Sequence, residues 1–392
     1  MQTGLILLCL AYVLSQFFRA FLAVLAKVLE QDIGAGPEEL SFASGMWFVS
    51  FALMQLPLGW LLDRTGPRRT ASALLLVGGA GGAALFALAT TPAHLSIAMF
   101  LIGIGCSPCL MASYYIFARE YPPARFATLG ALMLGIGSVG NLVASYPLAL
   151  ATETIGWRAS LWGLAAASAL VALGILLTVR DPAPSEGETR GSVLDILKMP
   201  VMWTILPIMF AMYAPSGAVR GLWIGPYLSD VYGLGTSQIG AATLIMGAAM
   251  ILGTFAFGPL DRVFGTRKWV IFAGNFGTMA SMLLLAFFVD GGPVLAIALC
   301  AAAGFLGGTY AVIIAHGRAF IPAHLAGRGV TLLNLFGIGG IGVMQFASGR
   351  LHEAVSASGG PVSAPYAAIF GLYGVVLLVG TAIYLFSRDS MD

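Results

Sequence analysis

Long apolar runs alternate with short polar clusters along nearly the whole chain. About twelve of these runs approach the roughly 20 residues an α-helix needs to cross the hydrocarbon core of a bilayer. They fall at 4–28, 41–62, 70–90, 95–117, 126–150, 158–179, 200–223, 238–258, 269–289, 294–315, 327–350 and 365–387. No water is available there to satisfy backbone polar groups, so each run is predicted to be a helix. Connections are short except near 180–199, where Arg180-Asp-Pro-Ala-Pro-Ser-Glu-Gly-Glu-Thr-Arg190-Gly is polar and rich in Pro and Gly. The pattern predicts an all-α membrane protein with six helices in 1–179, a linker at 180–199 and six helices in 200–392.

Composition supports membrane spans over the core helices of a soluble protein. The chain is 59% hydrophobic and 9% charged, against roughly 25% charged in a soluble domain. The net charge of +2 is small, and the basic residues sit in short clusters between apolar runs, so no nucleic-acid surface is expected. The expected partners are the lipid bilayer and a small-molecule substrate, with the chain acting as a monomer. The first run follows Met1-Gln-Thr at once and is longer than a signal-peptide core, so it reads as a retained span. Cys9, Cys106, Cys109 and Cys300 all lie in apolar runs and imply no disulfide framework. His94, His316, His324 and His352 fall in predicted loops or at their edges.

Basic residues also orient the chain. With both termini cytoplasmic, Arg64, Arg68, Arg69, Arg119, Arg125, Arg180, Arg190, Lys198, Arg262, Arg267, Lys268, Arg318, Arg328 and Arg388 lie inside. Lys27, Arg158 and Arg350 then lie at the outer face. This asymmetry suits a multi-pass protein of a bacterial inner membrane. Arg19 and Arg220 fit neither group, because each lies within an apolar run. A charge there is costly and marks a functional site. Each also ends the same spacing, Tyr-x2-Ser-x3-Arg: Tyr12, Ser15 and Arg19 in one copy, Tyr213, Ser216 and Arg220 in the other. On a continuous helix those positions share a face, with Gln16 beside the first set.

A second repeat lies in the loops. Gly59-Trp-Leu-Leu-Asp63-Arg64-Thr-Gly66-Pro-Arg68-Arg69 follows the second run, and Gly258-Pro-Leu-Asp261-Arg262-Val-Phe-Gly265-Thr-Arg267-Lys268 follows the eighth with one residue fewer between Gly and Asp. The first copy resembles the G-x3-D-R-x-G-x-R-R signature of the major facilitator superfamily, and the resemblance covers the whole chain. It implies that superfamily's fold, with twelve helices in two pseudo-symmetric six-helix halves. It also implies that helices 1, 4, 7 and 10 line a central cavity and that the halves exchange access to it. The implied conformational latch comprises Gly59, Asp63, Arg64, Gly66, Arg68, Arg69, Asp261, Arg262, Arg267 and Lys268. Asp63 and Asp261 lie beside helix ends, where a carboxylate can meet a partially positive N-terminus. Asp63 and Asp261 are 198 positions apart and Arg19 and Arg220 are 201 apart, so the arginines occupy near-equivalent places in the two halves.

Planar guanidinium groups donate paired hydrogen bonds to carboxylate or phosphate. The expected cargo is therefore a small organic anion held by Arg19 and Arg220, with Tyr12, Tyr213, Ser15, Ser216 and Gln16. This resembles the paired arginines of organophosphate and organic-anion transporters in the superfamily. Tyr114, Asn141, Tyr310 and Asn334 are further candidates, although each can equally bond across a helix interface. A competing reading takes Cys106, Cys109, Met246 and Met250 as soft ligands for copper, or takes a vitamin such as riboflavin as cargo. That resembles one branch of the superfamily. Met at helical spacing is more often core filler, however, and no metal or other cofactor is expected. No Asp or Glu lies centrally in the runs. A coupled proton would then ride on the substrate or on a rim group such as Glu30, Asp32 or Asp230. No nucleophile–base set is present, so an enzyme is not expected.

Overall fold

The computed structural model describes residues 2–121, 123–182, 193–322 and 325–391. Part of the expected linker, 183–192, lies outside them, as do His324 and the side chains of Arg125 and Arg190. Among the described residues the chain is helical, without strands. Nine stretches are long and apolar enough to cross a membrane, and two bent pairs, Thr3–Phe17 with Leu22–Ile33 and Leu132–Val143 with Tyr146–Ile155, each add one more. One of the nine, Pro37–Ala87, has 51 residues. At about 1.5 Å per residue that is more than two bilayer cores. It breaks at Gly66, whose φ of 81° and ψ of 155° are not helical. Counted in this way, the described residues hold the twelve expected spans.

They form two compact units. One comprises Met1–Glu186 with Thr236–Ala241, the other Gly187–Gly235 with Ala242–Asp392. In chain order the first unit contains the bent first span, the second and third on either side of Gly66, the fourth (Pro92–Glu120), the bent fifth and the sixth (Trp157–Thr178). The second unit contains the seventh span (Met202–Tyr232), most of the eighth (Thr236–Phe264), the ninth (Arg267–Phe287), the tenth (Pro293–Ala319), the eleventh (Ala326–Ser356) and the twelfth (Ala364–Tyr384).

Helices outrun the apolar stretches that predict them, because their last turns reach into polar surroundings. The eleventh extends to Ser356 and carries His352 within it, not in a loop. The His352 ring stacks on Trp223 at 5.5 Å. His316 is also helical and fully buried. Its ring nitrogens lie 2.8 Å from the Tyr384 hydroxyl and 2.9 Å from the Arg388 carbonyl.

The two loop signatures explain their own glycines. Gly66 and Gly265 have φ of 81° and 64°, a region that side chains with a Cβ adopt only with strain. Asp261 meets a helix N-terminus as the loop spacing suggests, in the first turn of Leu260–Phe264, where it accepts the Arg262 N–H, whereas Asp63 bonds the Tyr115 and Arg119 side chains. The starts of the third and ninth spans are met instead by Asp181 and Asp389, each just beyond the last helix of its unit. Asp181 accepts the Arg68 N–H at 2.8 Å. Asp389 accepts the N–H groups of Arg267 and Lys268 at 3.2 and 3.0 Å, and the Thr266 hydroxyl. Burial alone would raise the Asp389 pKa, but the hydrogen bonds from Thr266, Lys268 and Arg267 outweigh it and the net shift is downward. A depressed carboxylate contributes its stability fully above the unfolded value of about 3.9 and loses it as pH falls through the lower folded value. Asp389→Asn is therefore expected to cost about 0.5–1 kcal/mol at neutral pH. Melting in detergent across pH 2–7 should show the difference from wild type disappearing at the acid end.

Candidate functional site

The paired Tyr-x2-Ser-x3-Arg motifs do not lie on continuous α-helix. In the first unit the helix Gln2–Phe17 ends before Arg19, which sits in the joint preceding Leu22–Ile33, where the axis bends by 54°. In the second unit Tyr213 caps Met202–Met212, and Arg220 lies in a π-helical turn, Val219–Trp223. Both arginines thus occupy an irregularity near the middle of a span. At such a place the ordinary i→i−4 backbone ladder is interrupted.

The first set of candidates falls into two neighbourhoods. Tyr12 and Gln16 are buried and bonded to each other, Gln16 Nε2 donating to the Tyr12 hydroxyl at 3.1 Å. The Tyr12 ring packs on Gly137 of the fifth span, where an added Cβ would come within 2.1 Å of it. Ser15 and Arg19 belong instead with the second and fourth spans. The Arg19 guanidinium carbon is 5.2 Å from the ring centroids of both Trp47 and Phe51. Those rings are nearly parallel, at 16° and 5.1 Å. The Cys106 sulfur neighbours Ser15, Arg19 and Trp47. Cys109, one turn on, is buried and its thiol points to the Gly105 carbonyl at 3.8 Å. Trp47, Phe51 and Cys106 come from other helices, so nothing in the spacing around Arg19 indicates them.

The second unit is built differently around Arg220. That residue is 4% exposed. A Cβ on Gly247 would come within 2.9 Å of its Nε and of a terminal nitrogen, so the side chain lies against bare backbone of the eighth span. Gly247 is 200 positions after Trp47. At near-equivalent places one unit sets a ring, and the other no side chain, beside its arginine. The Ser216 hydroxyl bonds the Tyr213 carbonyl at 3.4 Å. The Tyr213 ring lies 5.2 Å from Tyr310, whose hydroxyl donates to Asn334 Oδ1 at 2.6 Å. Tyr213, Tyr310 and Asn334 therefore form one cluster across three spans. In the first unit Tyr114 lies beside Gly130 of the fifth span, and the backbone carbonyl of Asn141 accepts the Ser145 hydroxyl at 3.0 Å.

Met246 and Met250 both pack on Gly304 within the second unit. Among the described residues, no three His, Cys, Asp or Glu side chains are grouped to hold a metal. The rim carboxylates are each engaged. Glu30 pairs with Lys27 at 3.2 Å, Asp32 pairs with Arg158 and accepts the Trp157 N–H at 3.0 Å, and Asp230 accepts the Tyr366 hydroxyl.

The loop residues make short, local contacts. Asp63 accepts the Tyr115 hydroxyl at 2.8 Å and an Arg119 N–H at 3.3 Å, and that guanidinium lies 4.0 Å over the Tyr115 ring. Asp261 accepts the Arg262 N–H at 2.8 Å and Arg267 Nε at 3.3 Å. Arg64 lies over Trp60, and Lys268 reaches the Leu385 carbonyl at 2.7 Å.

Comparison with known proteins places this geometry. The family model described as the Major Facilitator Superfamily matches residues 8–235, more than half of the chain. A sialic acid transporter, NanX of Escherichia coli, is 21% identical over 66% of this chain, and the match spans 64% of that protein's own length. A probable sulfoacetate transporter, SauU of Cupriavidus necator, is 22% identical over 72% of each chain. A solved bacterial homologue of the human lysosomal transporter Spinster, in an inward-facing and occupied conformation, superposes with a TM-score of 0.77 at 18% identity. It covers 98% of this chain and 96% of its own. At that identity the likeness concerns the fold.

Proposed function

The chain belongs to the major facilitator superfamily, and from that premise we propose that it is a secondary transporter carrying a small organic anion across the bacterial inner membrane by alternating access. The observation that carries this reading is the pair of arginines. Each is the end of the same Tyr-x2-Ser-x3-Arg spacing, and each sits at a helix irregularity within an apolar span. An arginine at that depth costs about 2.5–3.5 kcal/mol on insertion scales, and neutralisation by an anionic cargo offsets it. Sialic acid and sulfoacetate, named for the two relatives, are both anions at neutral pH. Arg19 and Arg220 bind the cargo's charge in this reading, and Tyr213, Tyr310 and Asn334 supply neutral hydrogen bonds to the rest of it. Both termini lie in the cytoplasm.

The test is uptake into proteoliposomes holding the purified full chain, using labelled sialic acid, sulfoacetate and D-glucarate, with riboflavin, Cu(I) and uncharged glucose as comparisons. Saturable uptake of at least one anion, and none of glucose, is expected. Uptake of only riboflavin or Cu(I) would overturn the reading.

Asp63 provides a second check. It is 62% exposed at the side chain and paired with Arg119, far along the chain from either arginine. Asp63→Asn is expected to lower turnover about two- to fivefold, the scale of an exposed ion pair of about 0.5–1 kcal/mol. Substrate affinity should be unchanged, because the loop biases conformations without touching cargo. Comparing equilibrium binding with initial uptake rates separates the two effects.

A further inference from the structure

Around Arg19 the first unit holds a set of buried hydrogen-bond donors that lack an oxygen or nitrogen acceptor. Ser15 is 1% exposed and Trp47 is 0% exposed. The Ser15 hydroxyl, the Trp47 indole nitrogen and Arg19 Nε are all buried atoms that lack a hydrogen-bond partner. The acceptor beside the first two is the Cys106 sulfur, a weak one for O–H and N–H donors. Arg19 Nε has no hydrogen-bond partner, and the guanidinium carbon lies 5.2 Å from both the Trp47 and the Phe51 ring centroids. Leaving a buried donor unsatisfied costs about 1–3 kcal/mol, more for a charged one. Three of them in one place form a site that is complete only when an acceptor enters.

The scaffold holds these donors in place. Gly103 of the fourth span lies so close to the second that an added Cβ would sit 2.1 Å from Ser50 Oγ and 2.4 Å from the Trp47 carbonyl. The Ser50 hydroxyl bonds that same carbonyl at 3.1 Å. The Trp47 ring also meets Phe48 edge-on at 4.9 Å and stacks with Phe51. Its N–H is therefore fixed by packing before any ligand arrives, as a preorganised donor should be.

We propose, resting on the organic-anion reading above, that Ser15, Arg19 and Trp47 form a monocarboxylate subsite in which Trp47 is a specificity-determining donor. The donor count suits that group. Arg19 offers Nε–H and an adjacent terminal N–H as a fork, and Ser15 and Trp47 offer one donor each. A carboxylate has about four lone-pair positions on two oxygens, and no proton to give. The charge count agrees. One guanidinium neutralises the single charge of one carboxylate group, as a charge held among apolar side chains requires. The Trp47 and Phe51 rings lie 5.2 Å from the guanidinium carbon, and the planar fork matches a carboxylate bidentately.

An orphan donor predicts effects of opposite sign on stability and on binding. Trp47→Phe keeps an aromatic ring and removes the N–H, and Ser15→Ala removes only the hydroxyl. Ligand-free protein should melt at the same temperature or higher in both variants, because each loses a buried donor whose neighbouring acceptor is the weak Cys106 sulfur. Affinity for sialic acid, measured by calorimetry on the full chain in nanodiscs, should fall about five- to tenfold in each. Sialic acid methyl ester, which lacks the carboxylate charge, should bind weakly and equally to wild type and both variants. Sulfoacetate, with one carboxylate, should lose affinity in the same way as sialic acid. Wild type that binds sialic acid or sulfoacetate with unchanged affinity in both variants overturns the subsite and leaves the anion reading standing. A lowered melting temperature with unchanged affinity also overturns it and assigns Trp47 a structural role. Wild type that binds neither anion removes the anion reading, and the subsite with it.

Discussion

Arg220→Ala is expected to weaken binding of an anionic substrate by at least tenfold, and Arg19→Ala to do the same. A hydrogen bond to a charged group contributes about 1.5–3 kcal/mol, and each tenfold change in affinity corresponds to about 1.4 kcal/mol. Lysine at either position should restore only part of the loss, since a point charge does not reproduce the planar fork. The partial rescue should differ between the sites. Arg220 is almost completely buried and lies against the Gly247 backbone. A compact, strongly hydrated ammonium fits there poorly. Arg19 lies over two rings, which attract an ammonium as well as a guanidinium. Arg19→Lys is therefore expected to keep more activity than Arg220→Lys. Uptake and equilibrium binding of the single and double lysine variants are the measurement. Full activity in Arg19→Lys/Arg220→Lys would rule out paired-donor recognition of an anion.

The largest effect on stability is expected at Gly105. A Cβ there would lie 2.1 Å from the Gly79 nitrogen and 2.6 Å from the Gly78 carbonyl carbon. Gly78 would in turn meet the Leu101 oxygen at 2.5 Å and the Gly105 nitrogen at 2.6 Å. All of these atoms are backbone, so neither helix can yield by turning a side chain. The third and fourth spans cross here through a π-helical stretch, Leu75–Ala80, and small residues on both sides permit the approach. Gly105→Val should cost about 3 kcal/mol or more, at or beyond the upper end of ordinary overpacking. Gly105→Ala should cost less, with the same sign. Gly163→Ala is the control, because nothing lies within 4 Å of a Cβ at that position. Thermal melting of the three variants in one detergent should give that order. Equal melting temperatures for Gly105→Val and Gly163→Ala would refute the close crossing.

The loop signatures show how far one-dimensional spacing reaches. It locates Gly66 and Gly265, and both adopt the positive φ that makes glycine necessary there. Spacing also places Asp63 and Asp261 beside helix ends. Asp261 does accept a backbone N–H there, that of Arg262 in the first turn of Leu260–Phe264, while Asp63 bonds the Tyr115 and Arg119 side chains. The carboxylates at the starts of the third and ninth spans are Asp181 and Asp389. A signal for them exists: Arg180-Asp181 and Arg388-Asp389 repeat the same pair just past the last helix of each unit. It is weak because two residues carry little pattern, and because the partners lie 113 and about 120 positions away.

The arginine motifs reach their limit for another reason. A stripe at i, i+3 and i+7 assumes an unbroken 3.6-residue repeat. The first span bends between Phe17 and Leu22, and the seventh passes through a π turn at Val219–Trp223. The Tyr12 ring packs on the fifth span, Ser15 lies on another side of the same unbroken helix beside Cys106, and Arg19, past the bend, lies against Trp47 and Phe51 of the second span.

The sequence by itself determined the class, the number of spans and the two-fold repeat. Hydrocarbon thickness fixes the length of an apolar run, and the need to bond every backbone group fixes its helical form, whatever the neighbouring helices do. It also singled out Arg19 and Arg220, because a charge inside such a run is conspicuous without any coordinates. Only the tertiary structure decided which residues surround them. It set Trp47, Phe51 and Cys106 beside Arg19 and bare Gly247 beside Arg220. Those neighbours depend on where each helix breaks, how far it is rotated and how closely glycines let it approach the next. These are properties of packing between segments far apart in the chain, and no local periodicity encodes them.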